Sequence, residues 1–177
     1  MTEKFFVDTN VLVYAHQSAD SAKQAVAVQW IDRLWREESG RISVQVLNEL
    51  YTNLVRKLSH LMSSDQAWKV VSRFMEWRPL PLDRNLLQRA HKIEQRYRIH
   101  WWDSLIVAAA QFQDCNVLLT EDLQPGMVFD RVTVQNPFSM QVREPSPAYS
   151  IARPSSRHRP QRRPRKRSPC HTASVNC

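Results

Sequence analysis

Lys4-Phe5-Phe6-Val7-Asp8-Thr9-Asn10-Val11-Leu12-Val13-Tyr14 decides how the rest of this chain is read. Phe5, Phe6 and Val7 are aromatic or β-branched, run without a polar break, and are stopped by an acid. That is the pattern of a short strand covered on both faces, as in a parallel sheet. Asp8 then falls at the carboxyl end of the strand, Thr9 and Asn10 make the turn, and Val11 to Ala15 begin a helix. In open α/β sheets ligand sites form just outside the carboxyl ends of the strands, so one carboxylate stands where such folds do their chemistry. Asp, Thr and Asn are also good helix caps, and on this stretch alone Asp8 reads equally well as a cap.

The sequence downstream alternates helix and strand. Asp20 to Glu38 has the spacing of a long amphipathic helix, with Ala22, Ala25, Val26, Trp30, Ile31 and Leu34 as its stripe and Gly40 as its stop. Arg41-Ile42-Ser43 reads as a second short strand, and Val44 to Leu58 as a helix with Val46, Leu47, Leu50, Leu54 and Leu58 inward. Glu49 lies off the centre of that stripe. Ser63 and Gln66 have the spacing of a capping box and open a helix through Phe74 and Met75. The extended segment Arg78 to Leu82, with prolines at 79 and 81, reads as an edge strand. Asp83 caps a helix with Leu86, Ala90, Ile93 and Tyr97 inward, and Trp102 to Phe112 is apolar nearly all round, the mark of a buried helix. Asn116 to Thr120 is another buried strand, again ended by acids, Glu121 and Asp122. After a turn at Pro125-Gly126, Val132 to Val134 forms the last strand and Asn136-Pro137-Phe138 closes the domain. The alternation predicts an α/β fold: a central parallel sheet of about five short strands with helices on both faces.

The net charge of +8 is carried entirely by residues 139–177. There Arg143, Arg153, Arg157, Arg159, Arg162, Arg163, Arg165, Lys166 and Arg167 face Glu144 alone, whereas residues 1–138 balance to zero. Proline, serine and arginine dominate this second segment and large apolar residues are few, which predicts a disordered basic tail behind a neutral globular domain. Of the three cysteines only Cys115 lies in the globular part, so no disulfide framework or cysteine metal site is available, and it reads as a small buried hydrophobe. No apolar run approaches the ~20 residues of a membrane span and no signal-peptide core precedes the first strand, which predicts a cytoplasmic protein without a membrane partner. The six histidines form no constellation.

Two strands thus end in carboxylates at one edge of the expected sheet, and Asp103 opens the helix that leads into the second of them. Singly, each acid has an ordinary explanation: Asp103 complements a helix dipole, Glu49 is solvated, and Glu121 and Asp122 are loop acids. Gathered in one cleft they would repel and rise in pKa unless a cation neutralised them, and Mg²⁺ or Mn²⁺ is the natural occupant of an all-oxygen site.

The hydrophobic strand followed by Asp8-Thr9-Asn10, the helical Glu49, Trp102-Asp103-Ser104-Leu105-Ile106-Val107-Ala108 and Leu118-Leu119-Thr120-Glu121-Asp122-Leu123, in this order, resemble a PIN domain, and most closely the VapC-type toxins of bacterial toxin–antitoxin pairs. The resemblance covers residues 1–138, including the closing Asn136-Pro137-Phe138, and residues 139–177 extend past the point where such proteins commonly stop. It implies a PIN-like three-layer sandwich and a metal-dependent endoribonuclease that hydrolyses phosphodiester bonds of single-stranded or structured RNA. Carried over by position, Asp8 and Asp103 are the principal metal ligands, Glu49 and Asp122 complete the pocket, and Thr9, Asn10 and Thr120 support them. The Thr-x-Asp pattern selects Asp122, but the adjacent Glu121 could take its place. A cognate antitoxin and a second copy of the chain, in a symmetric helix-mediated homodimer, are the implied partners besides RNA. Arg56, Lys57, Arg96, Arg98 and Trp101 are candidates for the RNA-facing rim. Two other readings compete. A phosphatase of the haloacid-dehalogenase type also starts with an Asp after its first strand, but requires Asp-x-Asp, where this chain has Asn10. A non-catalytic RNA-binding or adaptor protein would keep the fold and bind through the tail.

Overall fold

Phe5, Phe6 and Val7 have no polar face to offer, and the chain buries all three in an inner strand of its sheet. The computed structural model describes residues 3–17, 20–58 and 62–139. In chain order it contains β1 (Phe5–Val7), α1 (Thr9–Tyr14), α2 (Ser21–Arg36), β2 (Gly40–Arg41), α3 (Val44–Arg56), α4 (Ser64–Phe74), α5 (Arg84–Tyr97), α6 (Trp101–Phe112), β3 (Val117–Leu119), β4 (Val128–Phe129) and β5 (Val132–Gln135). Among the described residues the strands form one five-stranded sheet in the order β2-β1-β3-β5-β4. All neighbours run parallel except β4, which is antiparallel to β5. No described helix is long and apolar enough to cross a membrane.

The chain leaves β1 toward β2 on one side and comes back to β3 on the other. Helices α5 and α6 form one packed group and α1 to α4 another, and with the sheet they make the three-layer α/β sandwich expected from the sequence. The helix α6 rests on β1, β3 and β5 with α5 packed along it, while α1 packs on α2 and α3, and α3 on α4. Because the strand order reverses between β1 and β3, their carboxyl ends border a crevice rather than a crossover. The register sets Val7 beside Leu119, so the next residues, Asp8 and Thr120, emerge side by side.

Four details differ from the sequence reading. Arg78 to Leu82 is not a strand: Met75–Trp77 form a 3₁₀ turn, Arg78 is left-handed at φ 53°, and only Leu80 bridges to Ser43. Pro79 and Pro81 bracket that bridge without N–H groups, so the ladder cannot extend. The antiparallel edge is supplied instead by β4, a two-residue strand too short to leave a period in the sequence. Its turn is held at Asp130, which accepts from Arg89 Nη2 at 2.9 Å, Gln111 Nε2 at 3.1 Å and Arg96 Nη1 at 3.2 Å. Next, β2 ends before Ser43, whose Oγ accepts from the Val46 N–H as the cap of α3. Last, α2 turns Ala27, Ile31 and Leu34 inward and leaves Ala22 and Ala25 exposed.

Cys115 is a free, fully buried thiol, and burial pushes its pKa up to about 12, as suits an inert packing residue. From residue 140 on, the expected basic tail lies outside the described residues.

Candidate active site

Asp8 follows β1 directly, and α1 starts at the next residue. The cap reading and the site reading therefore both hold, each on a different oxygen. Oδ1 accepts from the Thr9 N–H at 2.6 Å, while Oδ2 accepts from Thr120 Oγ1 at 2.6 Å and from Asn10 Nδ2 at 3.2 Å. Only 7 % of Asp8 is exposed. Burial raises its pKa to about 7, against the pull of the Thr120 and Thr9 hydrogen bonds, and the charges of Asp122 and Glu49 push in the same direction as burial.

Glu49 comes from α3, on the turn that faces α1. Thr9 Oγ1 donates to its Oε2 at 2.7 Å and Gln45 Nε2 to its Oε1 at 2.9 Å, so both carboxylate oxygens are oriented. Asn10 Nδ2 also reaches Asp122 Oδ2 at 3.0 Å and Thr120 Oγ1 at 3.3 Å. Every neighbour of that nitrogen is an acceptor, which dictates the orientation of the amide. Its Oδ1 is buried without a partner. Thr120 Oγ1 accepts from the Asp122 N–H at 3.1 Å, so one hydroxyl ties the ends of β1 and β3 together.

Asp103 lies in the first turn of α6, half-buried. Its pKa is raised by burial first, then by the charge of Asp122, with a smaller contribution from Glu49 and an opposing one from His100. The charges of Asp122 and Glu49 therefore act on both Asp8 and Asp103. A cleft of about 410 Å³ is lined by Asp8, Asn10, Glu49, Glu121 and Asp122 together with Tyr14, Gln17, Asn53 and Lys57, whereas Asp103 is not among its lining residues.

Glu121, the alternative to Asp122, faces the same cleft but is held by Lys23 Nζ. Of the rim candidates only Lys57 lines the cleft. Trp101 packs against the core, Arg96 is engaged with Asp130, and the aromatic left exposed beside Asp103 is Trp102, at 62 %. Arg56 and Arg98 are exposed. Sequence reasoning missed Gln45 and Lys23. Gln45 was findable, since it stands one helical turn before Glu49. Lys23 carries no local signal, because its partner is 98 residues away.

Among the described residues no three acids, histidines or cysteines stand close enough to enclose a metal ion by themselves. The donor chemistry nevertheless suits a hard divalent cation, because Mg²⁺ keeps several of its waters and is usually held by one or two carboxylates together with substrate phosphate. Repelling, partly desolvated carboxylates such as Asp8 and Asp103 are where such an ion relieves the most unfavourable charge.

Several solved structures share the fold. The chain is similar to VapC20 of Mycobacterium tuberculosis, described as a sarcin–ricin loop cleaving toxin, at 20 % identity and a TM-score of 0.52, over 67 % of this chain and 92 % of that one. It is equally similar to a chain of a toxin–antitoxin complex from Klebsiella pneumoniae, at 20 % identity and a TM-score of 0.52, over 76 % of this chain and 98 % of that one. No curated protein matches the sequence. The PIN domain family matches residues 5–133, the span that contains every acid described above and the sheet that positions them, and the chain belongs to that family.

Proposed function

We propose that this protein is a metal-dependent endoribonuclease and the toxin of a toxin–antitoxin pair. The observation that carries the reading is Asp8: a buried carboxyl at the β1–β3 crevice, held by three donors and acted on by the charges of Asp122 and Glu49, which act on Asp103 as well. Membership of the PIN family supports nuclease chemistry. The two structural neighbours, a toxin described as cleaving the sarcin–ricin loop and a toxin–antitoxin complex, support the toxin assignment and a protein antitoxin as partner.

Asp8 and Asp103 would hold Mg²⁺ or Mn²⁺, with Glu49 and Asp122 completing the set. A bound ion there supplies a Lewis acid that lowers the pKa of water and offsets charge developing on the phosphate. The chain's own residues do the rest. Thr9 and Thr120 hold Asp8 with its oxygens in defined directions. Thr9 and Gln45 do the same for Glu49, and Asn10 spans the gap between Asp8 and Asp122. Lys57 on the wall offers a positive charge to a phosphate of the bound strand.

The test is cleavage of single-stranded RNA by the full chain with Mg²⁺ or Mn²⁺. Asp8→Ala and Asp103→Ala should each abolish cutting while the circular dichroism spectrum stays unchanged, because each substitution removes a ligand and relieves repulsion in the metal-free pocket. Full cleavage in excess chelator would overturn the metal mechanism, and RNA bound but never cut would favour the adaptor reading. Purification from the native host should bring down a small protein that silences the activity.

A further inference from the structure

Glu121 and Asp122 are neighbours in the chain, border the same cleft, and are held in opposite ways. Asp122 accepts from Asn10 at 3.0 Å, on the Asp8 side. Glu121 accepts from Lys23 Nζ, and the same ammonium donates to the Tyr14 hydroxyl at 3.0 Å. Lys23 Nζ also stands 4.4 Å above the Tyr14 ring and 5.3 Å from the Phe138 ring, and those two rings meet edge-on at 5.0 Å. One lysine on α2 thus gathers the end of α1, the loop after β3 and the residue that closes the domain after β5. Its three hydrogen-bond directions and the attraction of two ring faces make its position far more defined than that of a surface lysine.

We propose that Lys23 is a positioning residue that decides which of the two adjacent carboxylates joins the acid set, by holding Glu121 away from Asp8, Glu49 and Asp103 so that Asp122 alone completes it. The inference rests on the nuclease reading above. A glutamate reaches one methylene further than an aspartate, and both line the cleft. Freed from its ammonium, Glu121 would bring a further full negative charge and a competing ligand into the pocket. The ion pair itself is partly exposed, and such pairs add little to folding stability. Its effect is therefore expected on the pocket's charge and ligand set rather than on the fold.

The test measures Mn²⁺ binding by electron paramagnetic resonance and RNA cleavage, on the full chain and its variants. Lys23→Met should bind Mn²⁺ roughly three- to tenfold more tightly, the size expected of one added charge at pocket distance in a partly hydrated site. The same variant should lose kcat, because the extra ligand competes for the ion. In Lys23→Met/Glu121→Gln both properties should return toward the starting values, since the amide carries no charge to place in the pocket. If Lys23 were only a structural tie, the double variant would stay as impaired as Lys23→Met and neither would bind metal more tightly; that result overturns the proposal. So does a Lys23→Met protein with unchanged metal binding. Should Lys23→Met fail to fold, Lys23→Gln keeps a donor for Tyr14 without the charge and gives the same comparison. Failure of the starting protein to bind Mn²⁺ at all would instead strike the nuclease reading, before any variant is made.

Discussion

Asp8 turns a conflict between burial and charge into a property that can be measured without RNA. In the unfolded chain its carboxyl loses its proton near the ordinary value of 3.8, whereas in the fold it keeps the proton up to about 7. Between those limits the folded state binds more protons than the unfolded one, so raising pH favours unfolding. The stabilising contribution is complete below the lower limit and is lost as pH rises through the upper one. Asp103, also raised, acts in the same direction. His16 acts oppositely, because burial lowers its pKa and its contribution is lost as pH falls below 6.5. In chelator, the thermal midpoint should therefore drop between about pH 4 and pH 7. Asp8→Asn should flatten the drop, and Mg²⁺ should offset it at the alkaline end by binding the ionised form. A midpoint that rises over the same interval, or a slope that Asp8→Asn leaves untouched, would contradict this account. The acids were legible one by one in the sequence, since an acid closing a hydrophobic strand is a local pattern. Their partners were not: Thr120 lies 112 residues from Asp8, and no periodicity reports that separation.

The elements that place these residues are short, and their reading succeeded where one residue type dominated and failed where a single backbone bond decided. Phe5–Val7 and Val117–Leu119 are strands because continuous apolar runs have no other way to be covered on both faces. The segment around Leu80 has strand composition, but its prolines allow only one bridge. β4 has almost no composition to read and exists because the turn at Asp130 is tied down by Arg89, Arg96 and Gln111. The β2 edge offers a sharp test of packing. A Cβ on Gly40 would stand 2.7 Å from the ring of Trp77, which is itself buried. Gly40→Ala should cost about 1–3 kcal/mol in urea unfolding, through overpacking with the slope of the transition unchanged. Cleavage per folded molecule should persist, because no hydrogen bond of the acid cleft passes through β2. A neutral Gly40→Ala would mean that the indole moves aside freely.

Trp68 of α4, at 54 % exposed, and Met75 of the 3₁₀ turn that follows it, at 43 %, are large apolar side chains left in water, with Tyr51 of α3 against the Trp68 ring. Exposed apolar surface of this kind is the ordinary signature of an interface. We expect a symmetric homodimer that buries them through helices and not through the sheet edge. Analytical ultracentrifugation should find a dimer whose association is weakened by Trp68→Glu, and a monomer at all concentrations would refute it. The domain spanning residues 1–138 is expected to fold without the nine basic residues that follow, because its charges balance and the core described lies within it. Removing residues 139–177 should leave metal-dependent cleavage intact but weaken RNA binding at low salt. The slope of log affinity against log salt should become shallower by about 0.7 for each RNA phosphate that the tail no longer neutralises. An insoluble 1–138 fragment would place part of the core beyond that boundary.

Hydrophobic runs, helix stripes and strand-ending acids are local, so the linear order of residues was enough to specify an α/β fold and to place acids at its strand ends, while the set Asp8, Glu49, Asp103 and Asp122 was nominated by the resemblance to PIN domains. How the two adjacent acids are held was not legible that way: Asp122 accepts from an amide at the start of α1 and Glu121 from an ammonium on α2, and a hydrogen bond is selected by distance in space. The same holds for Asp8: its carboxylate is plain in the sequence, but only its burial against β3, with Glu49 and Asp122 close by, changes when it gives up its proton.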